Sequence, residues 1–152
     1  METNQLSGGI VHHREGTNFN LLGHSITTVF SKQETDGAYY VFDLVTPPGL
    51  GLPKHVHKLE DEIIYIVAGA FEIELGEKTF IAKAGDSVFF PRGIAHAFKN
   101  VSSKPTTAIF TVSPGASFEN FFEKLAALPP GPPEMDKIVE IFGNHGMTIL
   151  GS

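Results

Sequence analysis

The chain has 152 residues, no cysteine, and 17 acidic against 11 basic side chains, for a formal charge of −6 at pH 7. The absence of cysteine excludes disulfides, thiolate metal sites and cysteine nucleophiles. A negative chain without a basic cluster also argues against nucleic acid and anionic membranes as partners.

The first 17 residues are polar and contain several glycines, so we predict an N-terminal arm over residues 1–17. This segment lacks the basic region and the apolar core of a secretory signal. The longest apolar run, 63–68, is far shorter than the roughly 20 residues that a membrane span needs. We therefore expect a soluble, cytoplasmic protein.

Short β-rich runs separated by turn-forming residues follow over residues 18–114. Such spacing is typical of an antiparallel sandwich or barrel, and it predicts one all-β domain. The predicted strands are 25–30, 39–45, 62–67, 71–75, 79–81, 87–90, 95–100 and 107–112. The phenylalanines expected to fill the core are Phe71, Phe80, Phe89, Phe90, Phe98 and Phe110.

After Pro114 the apolar spacing becomes helical. We predict a helix capped by Ser117, a proline-rich turn over 129–133 and a second short helix over about 134–142. The apolar stripe of the first helix consists of Phe118, Phe121, Phe122 and Leu125. Together these elements predict a C-terminal helical extension, 115–152, packed outside the sheets.

A pair of histidines in the segment 49–69 is the first sign of a metal site. His55 and His57 project from the same side of an extended strand, whereas on a helix they would point in different directions. Pro53 argues against a helix at this point. The sequence therefore predicts that the two imidazoles lie side by side on a strand.

Glu62 follows His57 by five residues, which is the wrong parity for one continuous strand. We predict that a turn at 58–61 reverses the chain and returns Glu62 to the histidines. The same turn is expected to leave Glu60 and Asp61 in solvent.

His96 lies in a second segment, 85–100, after a predicted tight turn at 91–93. Antiparallel pairing would bring His96 to the first two histidines. Three imidazoles and one carboxylate are suited to a divalent transition metal ion such as Mn, Fe, Co, Ni, Cu or Zn. Ca²⁺ would require more oxygen ligands.

The two segments resemble the paired motifs of the cupin superfamily. The first reads G-xxxxx-H-x-H-xxxx-E-xxxxxx-G from Gly49 to Gly69, and the second reads G-xxxxx-P-x-G-xx-H-xxx-N from Gly85 to Asn100. The short spacing between the motifs and the extension at 117–125 are similar to small bacterial cupins described as quercetin-dioxygenase-like. The resemblance implies an antiparallel jelly-roll barrel whose metal ligands are His55, His57, Glu62 and His96.

Strand parity also predicts the lining of a substrate pocket. Ile64 and Ile66 share a face with Glu62, and Phe98 shares a face with His96, so an apolar pocket is expected beside the metal. The first interpretation is a metal-dependent dioxygenase or related oxidoreductase on a small, partly apolar, enol- or phenol-like substrate. Glu62 would act in it as a ligand or as a released base.

Two alternatives remain open at this point. One is a non-catalytic cupin that binds a metal or a small ligand, and the other is a metal-dependent isomerase or lyase acting on a keto-acid or a sugar. His24 is interpreted as a structural hydrogen-bonding residue rather than a ligand. We also expect a homodimer, because a second copy commonly covers the exposed edges of such sheets.

Overall fold

The computed structural model of the chain describes residues 6–129, 131–132 and 134–150, and these contain eleven strands and two helices. The strands are β1 (Asn18–Leu21), β2 (His24–Phe30), β3 (Tyr40–Thr46), β4 (Gly51–His57), β5 (Asp61–Ala68), β6 (Ala70–Leu75), β7 (Lys78–Lys83), β8 (Ser87–Phe90), β9 (His96–Lys99), β10 (Thr106–Ser113) and β11 (Met147–Ile149). The helices are α1 (Ala116–Ala126) and α2 (Met135–Asn144). Four parts of the predicted arm, turn and extension lie outside the described residues, namely 1–5, Pro130, Pro133 and 151–152.

Two antiparallel sheets enclose the core. One sheet has the strand order β1-β2-β3-β10-β5-β8, and the other has the order β11-β4-β9-β6-β7. The chain crosses repeatedly between them, so that β10 pairs with both β3 and β5, which is the connectivity of a jelly roll. The predicted all-β jelly-roll fold is confirmed. Over the described ranges the strands form two separate sheets rather than one closed barrel.

Alternation along the strands places the apolar side chains in the core. In β3 the inward residues Tyr40, Phe42 and Leu44 are buried. The ring centroid of Phe42 lies 5.0 Å from that of Phe110 on β10 and 5.0 Å from that of Phe122 on α1. Phe42 therefore connects its sheet to the first helix through one aromatic cluster.

Two phenylalanines that were predicted for the core lie outside it. Phe89 is 53% exposed and Phe80 is 36% exposed. In β8 the neighbours Val88 and Phe90 are buried, so Phe89 faces outward, opposite Ile63 of β5. The prediction was wrong at these positions because apolar composition alone does not give the parity of a strand.

The helices follow the predicted apolar spacing. The helix α1 starts at Ala116 without a side-chain cap, so the predicted N-cap role of Ser117 is wrong. The backbone N–H of Gly115 donates to the carbonyl oxygen of Gly37, which fixes the chain immediately before the helix. The buried side chains of α1 are those of Phe118, Phe121, Phe122 and Leu125.

Among the described residues, neither helix combines the length and the hydropathy that crossing a membrane requires.

The strand β11 lies within the segment that was predicted as a helical extension. It pairs antiparallel with β4, so that Met147 lies opposite His57 and Ile149 lies opposite His55. A strand of three residues is too short to show a clear periodicity, which is why the sequence did not indicate it. The proposed division of the chain stays a prediction, with segments 1–17, 18–114 and 115–152.

Candidate metal centre

Three histidines from two neighbouring strands form a buried cluster. His55 and His57 lie on β4, and His96 is the first residue of β9, opposite His55 in the paired strands. The ring centroids of His55 and His96 are 4.5 Å apart, and those of His57 and His96 are 5.2 Å apart. One ring nitrogen from each residue lies within 4.8 Å of the other two. The structure therefore brings together the three histidines that the sequence placed in one site.

In each of the three histidine rings, Nδ1 lies within hydrogen-bond distance of an oxygen acceptor, which orients the ring. The three pairs are His55 with the carbonyl oxygen of Pro53 at 2.8 Å, His57 with the carboxylate of Glu60 at 3.2 Å, and His96 with the carbonyl oxygen of Ile94 at 3.4 Å. A neutral imidazole that donates from Nδ1 carries its lone pair on Nε2. The three acceptors therefore favour the tautomer in which Nε2 is free to bind a metal ion.

Pro53 explains part of this orientation. Proline has no backbone N–H and cannot continue a strand ladder, and the pairing of β4 with β9 is irregular between Leu52 and His55. The Pro53 carbonyl oxygen accepts from the His55 ring within this irregular stretch. The residue that argued against a helix in the sequence thus also orients the first histidine.

Glu62 is the oxygen donor of the cluster. It lies on β5, its Oε1 is 3.6 Å from Nε2 of His57, and its Oε2 is 3.3 Å from Nε2 of His96. Burial alone would raise the pKa of Glu62, but the neighbouring imidazoles, His57 foremost, lower this pKa to about 2. Glu62 is therefore a carboxylate at neutral pH, directed at the histidines as the predicted turn requires.

Burial and neighbouring charges act differently on His55 and on His57. Burial, together with the charges of His96 and His57, lowers the pKa of His55 to about 4, so its ring is neutral at pH 7. Burial acts against the protonation of His57, but Glu62 and Glu60 raise the pKa of His57 above its ordinary value. Within the described ranges, Nε2 of His57 and Nε2 of His96 are buried without a hydrogen-bond partner. The donor set, of three nitrogens and one carboxylate, fits a divalent first-row transition metal.

Glu60 lies at the candidate site, contrary to the prediction from the sequence. It was expected in solvent, yet it is only 1% exposed and its Oε2 contacts Nδ1 of His57. Asp61 takes the outward position instead and forms an ion pair with Arg92 at 3.0 Å. Strand parity does not hold within a turn, so the inward direction of Glu60 could not be read from its spacing. In the sequence, the signal for this contact was a carboxylate three residues after the candidate ligand His57.

We expect Glu60→Gln to weaken metal binding by about 10-fold or more, because an amide supports the Nδ1–H donor of His57 less strongly than a carboxylate does. Competition with a chromophoric chelator measures the affinity. Asp61→Asn is the matched control, since Asp61 is adjacent in sequence and pairs with Arg92 rather than with a histidine. Equal affinity of Glu60→Gln and wild type would show that Glu60 does not position His57.

An apolar cavity of about 50 Å³ lies beside the cluster. His55, His57 and Glu62 are in its wall, together with Phe98 and many other apolar side chains. Ile64 and Ile66, which were also predicted for the pocket, are fully buried in the hydrophobic core, and neither of them lines this cavity. Such a volume is small for a ligand pocket, so only a small molecule fits without displacement of the surrounding elements.

The helices supply part of the cavity wall. The ring of Phe118 on α1 lies parallel to that of His57, with centroids 5.5 Å apart. The ring of Phe142 on α2 meets that of His55 edge-on at 6.1 Å. Side chains of the C-terminal helices therefore contact the candidate metal ligands His55 and His57 directly, which the sequence did not predict.

Comparisons with known proteins agree with this architecture. A family model described as a cupin domain matches residues 42–118. Protein SchB of Streptomyces halstedii is 29% identical over 70 residues, which cover 46% of this chain and 51% of SchB. Polyketide synthase CurC of Streptomyces cyaneus is 31% identical over 67 residues, which cover 44% of either chain. The chain spans about half the length of these curated relatives.

Solved structures show the same arrangement of strands over a longer stretch. KdgF from Halomonas sp. aligns with a TM-score of 0.64 and 22% identity, covering 71% of this chain and 94% of KdgF. A predicted oxalate decarboxylase from Thermotoga maritima aligns with a TM-score of 0.62 and 25% identity, covering 69% of this chain and 98% of that protein. At this identity the likeness to KdgF concerns the fold alone.

Proposed function

This chain belongs to the cupin domain family, and on that premise we propose that it is a metal-dependent dioxygenase or related oxidoreductase. Its substrate is a small, partly apolar molecule with an enol or phenol group. The observation that carries the proposal is a buried cluster of three histidines and Glu62, in which His55, His57 and Glu62 line an apolar cavity. In a dioxygenase both atoms of O₂ enter the product, so the reaction needs no separate reductant.

The residues that would hold the metal ion are His55, His57, His96 and Glu62. When bound, a divalent transition metal ion supplies a Lewis acid for an oxygen-bearing substrate and, if it is redox-active, electrons for O₂ chemistry. The protein's own part is to hold the donors in place, exclude water through the apolar wall and accept a proton. The small cavity volume of about 50 Å³ favours compact substrates.

Glu62 is the candidate proton acceptor. A carboxylate with a pKa of about 2 is a weak base while it remains between the imidazoles. Its basicity rises once a substrate displaces it from Nε2 of His57 and His96, because those two contacts hold the pKa low. Glu62 therefore takes up the substrate proton only when a substrate is in position.

The substrate class agrees with the cavity and with one relative. The wall consists almost entirely of apolar side chains, so it favours a substrate with few charges. The relative CurC bears the name polyketide synthase, and polyketides contain enol and phenol groups. Both observations support an enol or phenol substrate over a phosphorylated sugar.

A lyase acting on a small keto-acid is the second candidate. The likeness to a predicted oxalate decarboxylase, which the alignment covers over 98% of its length, favours it. The same metal ligands would serve both reactions. A cupin that binds metal without turnover is the remaining alternative.

Oxygen uptake with defined metal forms tests the proposal. The protein is loaded separately with Mn, Fe, Co, Ni or Cu and assayed with small enols, phenols and diketones. We expect turnover that depends on the metal ion and consumes O₂. Release of CO₂ from keto-acids under argon would support the lyase instead, and bound metal without turnover in either assay would support a binding protein.

We expect Glu62→Gln to lower turnover by about 100-fold or more while a metal ion is still bound, because the amide cannot accept the substrate proton. Metal content by mass spectrometry and the rate of turnover are measured on the same sample. Asp61→Asn again serves as the control and should keep both properties. Full activity of Glu62→Gln would exclude Glu62 as the base.

The homodimer stays a prediction, and we propose it as the state in solution. The outward side chains of β5 and β8 offer an exposed apolar surface, made of Ile63, Tyr65, Val67 and Phe89. β8 is also the last strand of its sheet, which leaves one side of this edge for a second copy. Light scattering should give twice the chain mass of 16.5 kDa, and the mass of one chain would contradict the dimer.

A further inference from the structure

Three leucines separate the cavity beside the histidines from a larger cleft on the surface. The cavity has a volume of about 50 Å³, whereas the cleft has a volume of about 730 Å³ and lies between the turn of the β1–β2 hairpin and the end of α1. Among the described residues, Leu21, Leu22 and Leu125 are the three that line both. Their side chains therefore lie between the outer cleft and the cavity that His55 and His57 line.

A larger molecule reaches the histidines only if part of the cavity wall moves. The cavity has room for a few water molecules, since one water needs about 10–15 Å³ of such volume. In the wall, β4 and β10 are hydrogen-bonded to strands on both sides. Over the described ranges β1 has only four residues, is the last strand of its sheet and pairs with β2 alone. The β1–β2 hairpin is therefore the part of the wall that opens at the lowest cost.

The turn of this hairpin has an unusual residue at its tip. Leu22 and Gly23 join the paired residues Leu21 and His24, with φ angles of 53° and 87°. A two-residue turn with two left-handed residues prefers Asn-Gly, because asparagine tolerates this conformation better than leucine does. Leu22 is also 38% exposed, so burial accounts for only part of its presence here. A strained and partly exposed leucine that lines a cavity points to a role beyond the turn itself.

We propose that Leu22 is the gate of the site and selects the molecules that pass from the cleft to the histidines. Leu21 and Leu125 are buried and form the fixed sides of the opening, and movement of Leu22 with its turn opens it. Because the opening is apolar on three sides, it admits a small neutral molecule more readily than a charged one. The inference rests on the proposed function in one respect, namely that the molecules which enter react at the histidine cluster.

Replacing Leu22 by asparagine separates the gate from the fold. Asparagine suits the left-handed turn and its amide prefers water to an apolar opening, so Leu22→Asn should fold at least as stably as the wild type with the gate open. The probe is nitric oxide, a neutral diatomic molecule, mixed with the ferrous protein without O₂. We expect the rate constants for binding and release both to rise about tenfold. The equilibrium affinity should stay unchanged, because a gate alters the barrier and not the end states.

The absence of cysteine in the chain allows a second test, in which the opening is blocked. The variant Leu22→Cys is labelled with a phenyl-sized, reversible thiol reagent. We expect binding of nitric oxide to slow by about tenfold and to recover when a reductant removes the label. Ile81→Cys with the same label is the control, because Ile81 is 46% exposed on β7 and lines neither the cavity nor the cleft.

Hydrogen exchange at the C2 carbon of the histidine rings provides a readout that needs no metal ion. In the metal-free protein, deuterium uptake at His55 and His57 should be faster in Leu22→Asn and slower in labelled Leu22→Cys, while the exposed His13 stays unchanged. Such changes in a protein that binds no iron would support the gate and overturn the metal centre. Nitric oxide binding with equal rates and equal exchange in all variants would overturn the gate and leave the proposed function standing.

Discussion

Replacing His96 by alanine is expected to abolish binding of a divalent transition metal ion, with a loss of affinity greater than about 100-fold. His96 is the ligand that joins the second strand to the site, since the other two histidines lie together on β4. Without it, two imidazoles and one carboxylate remain, and the nitrogen at 3.3 Å from Glu62 is lost. Metal content after dialysis and competition with a chelator measure the effect.

A surface histidine supplies the control for this experiment. His13 is exposed and lies in the N-terminal segment, so His13→Ala should retain the full metal content. His96→Ala removes the stacking of the imidazole on Phe90, but circular dichroism should show that the variant keeps its strands, because the other aromatic contacts of the core are unchanged. Metal retained at wild-type affinity in His96→Ala would show that the cluster is not the metal centre.

Phe42→Ala is expected to lower the free energy of unfolding by about 3–5 kcal/mol. Phe42 is 2% exposed, and its ring contacts those of Tyr40, Phe110, Phe118 and Phe122 at centroid distances of 5.0 to 5.9 Å. Removing it leaves a cavity at the point where β3, β10 and α1 meet. The loss is large because three elements share this contact and cannot all collapse into the space.

Urea denaturation of the metal-free protein measures this loss without a contribution from bound ions. Phe80→Ala is the matched control, since Phe80 is 36% exposed on β7 and its truncation should cost about 1 kcal/mol. Equal losses for the two variants would contradict the assignment of Phe42 to the centre of the core.

The sequence predicted the fold and the position of the site because both depend on local patterns. Strand parity placed His55 and His57 on one face, and a turn of fixed length returned Glu62 to them. Glycine and proline between short apolar runs indicated the antiparallel strands. The paired motifs added the pairing of His96 with the first two histidines.

The remaining features depend on contacts between distant segments. The inward direction of Glu60 follows from the path of one turn, and the pairing of Met147 with His57 joins residues far apart in the chain. The position of Phe118 over the His57 ring depends on how α1 packs on the sheets. Periodicity describes one element at a time, so it does not predict such contacts.

The strand that carries His55 and His57 is hydrogen-bonded on both sides, to β9 and to β11. Its register cannot slip by one residue without breaking two ladders, and such a slip would turn both imidazoles to the opposite face. The donors are therefore preorganised before an ion arrives, and little conformational entropy is lost on binding. The C-terminal strand, three residues long, thus helps to hold the candidate metal ligands in place without contributing a ligand of its own.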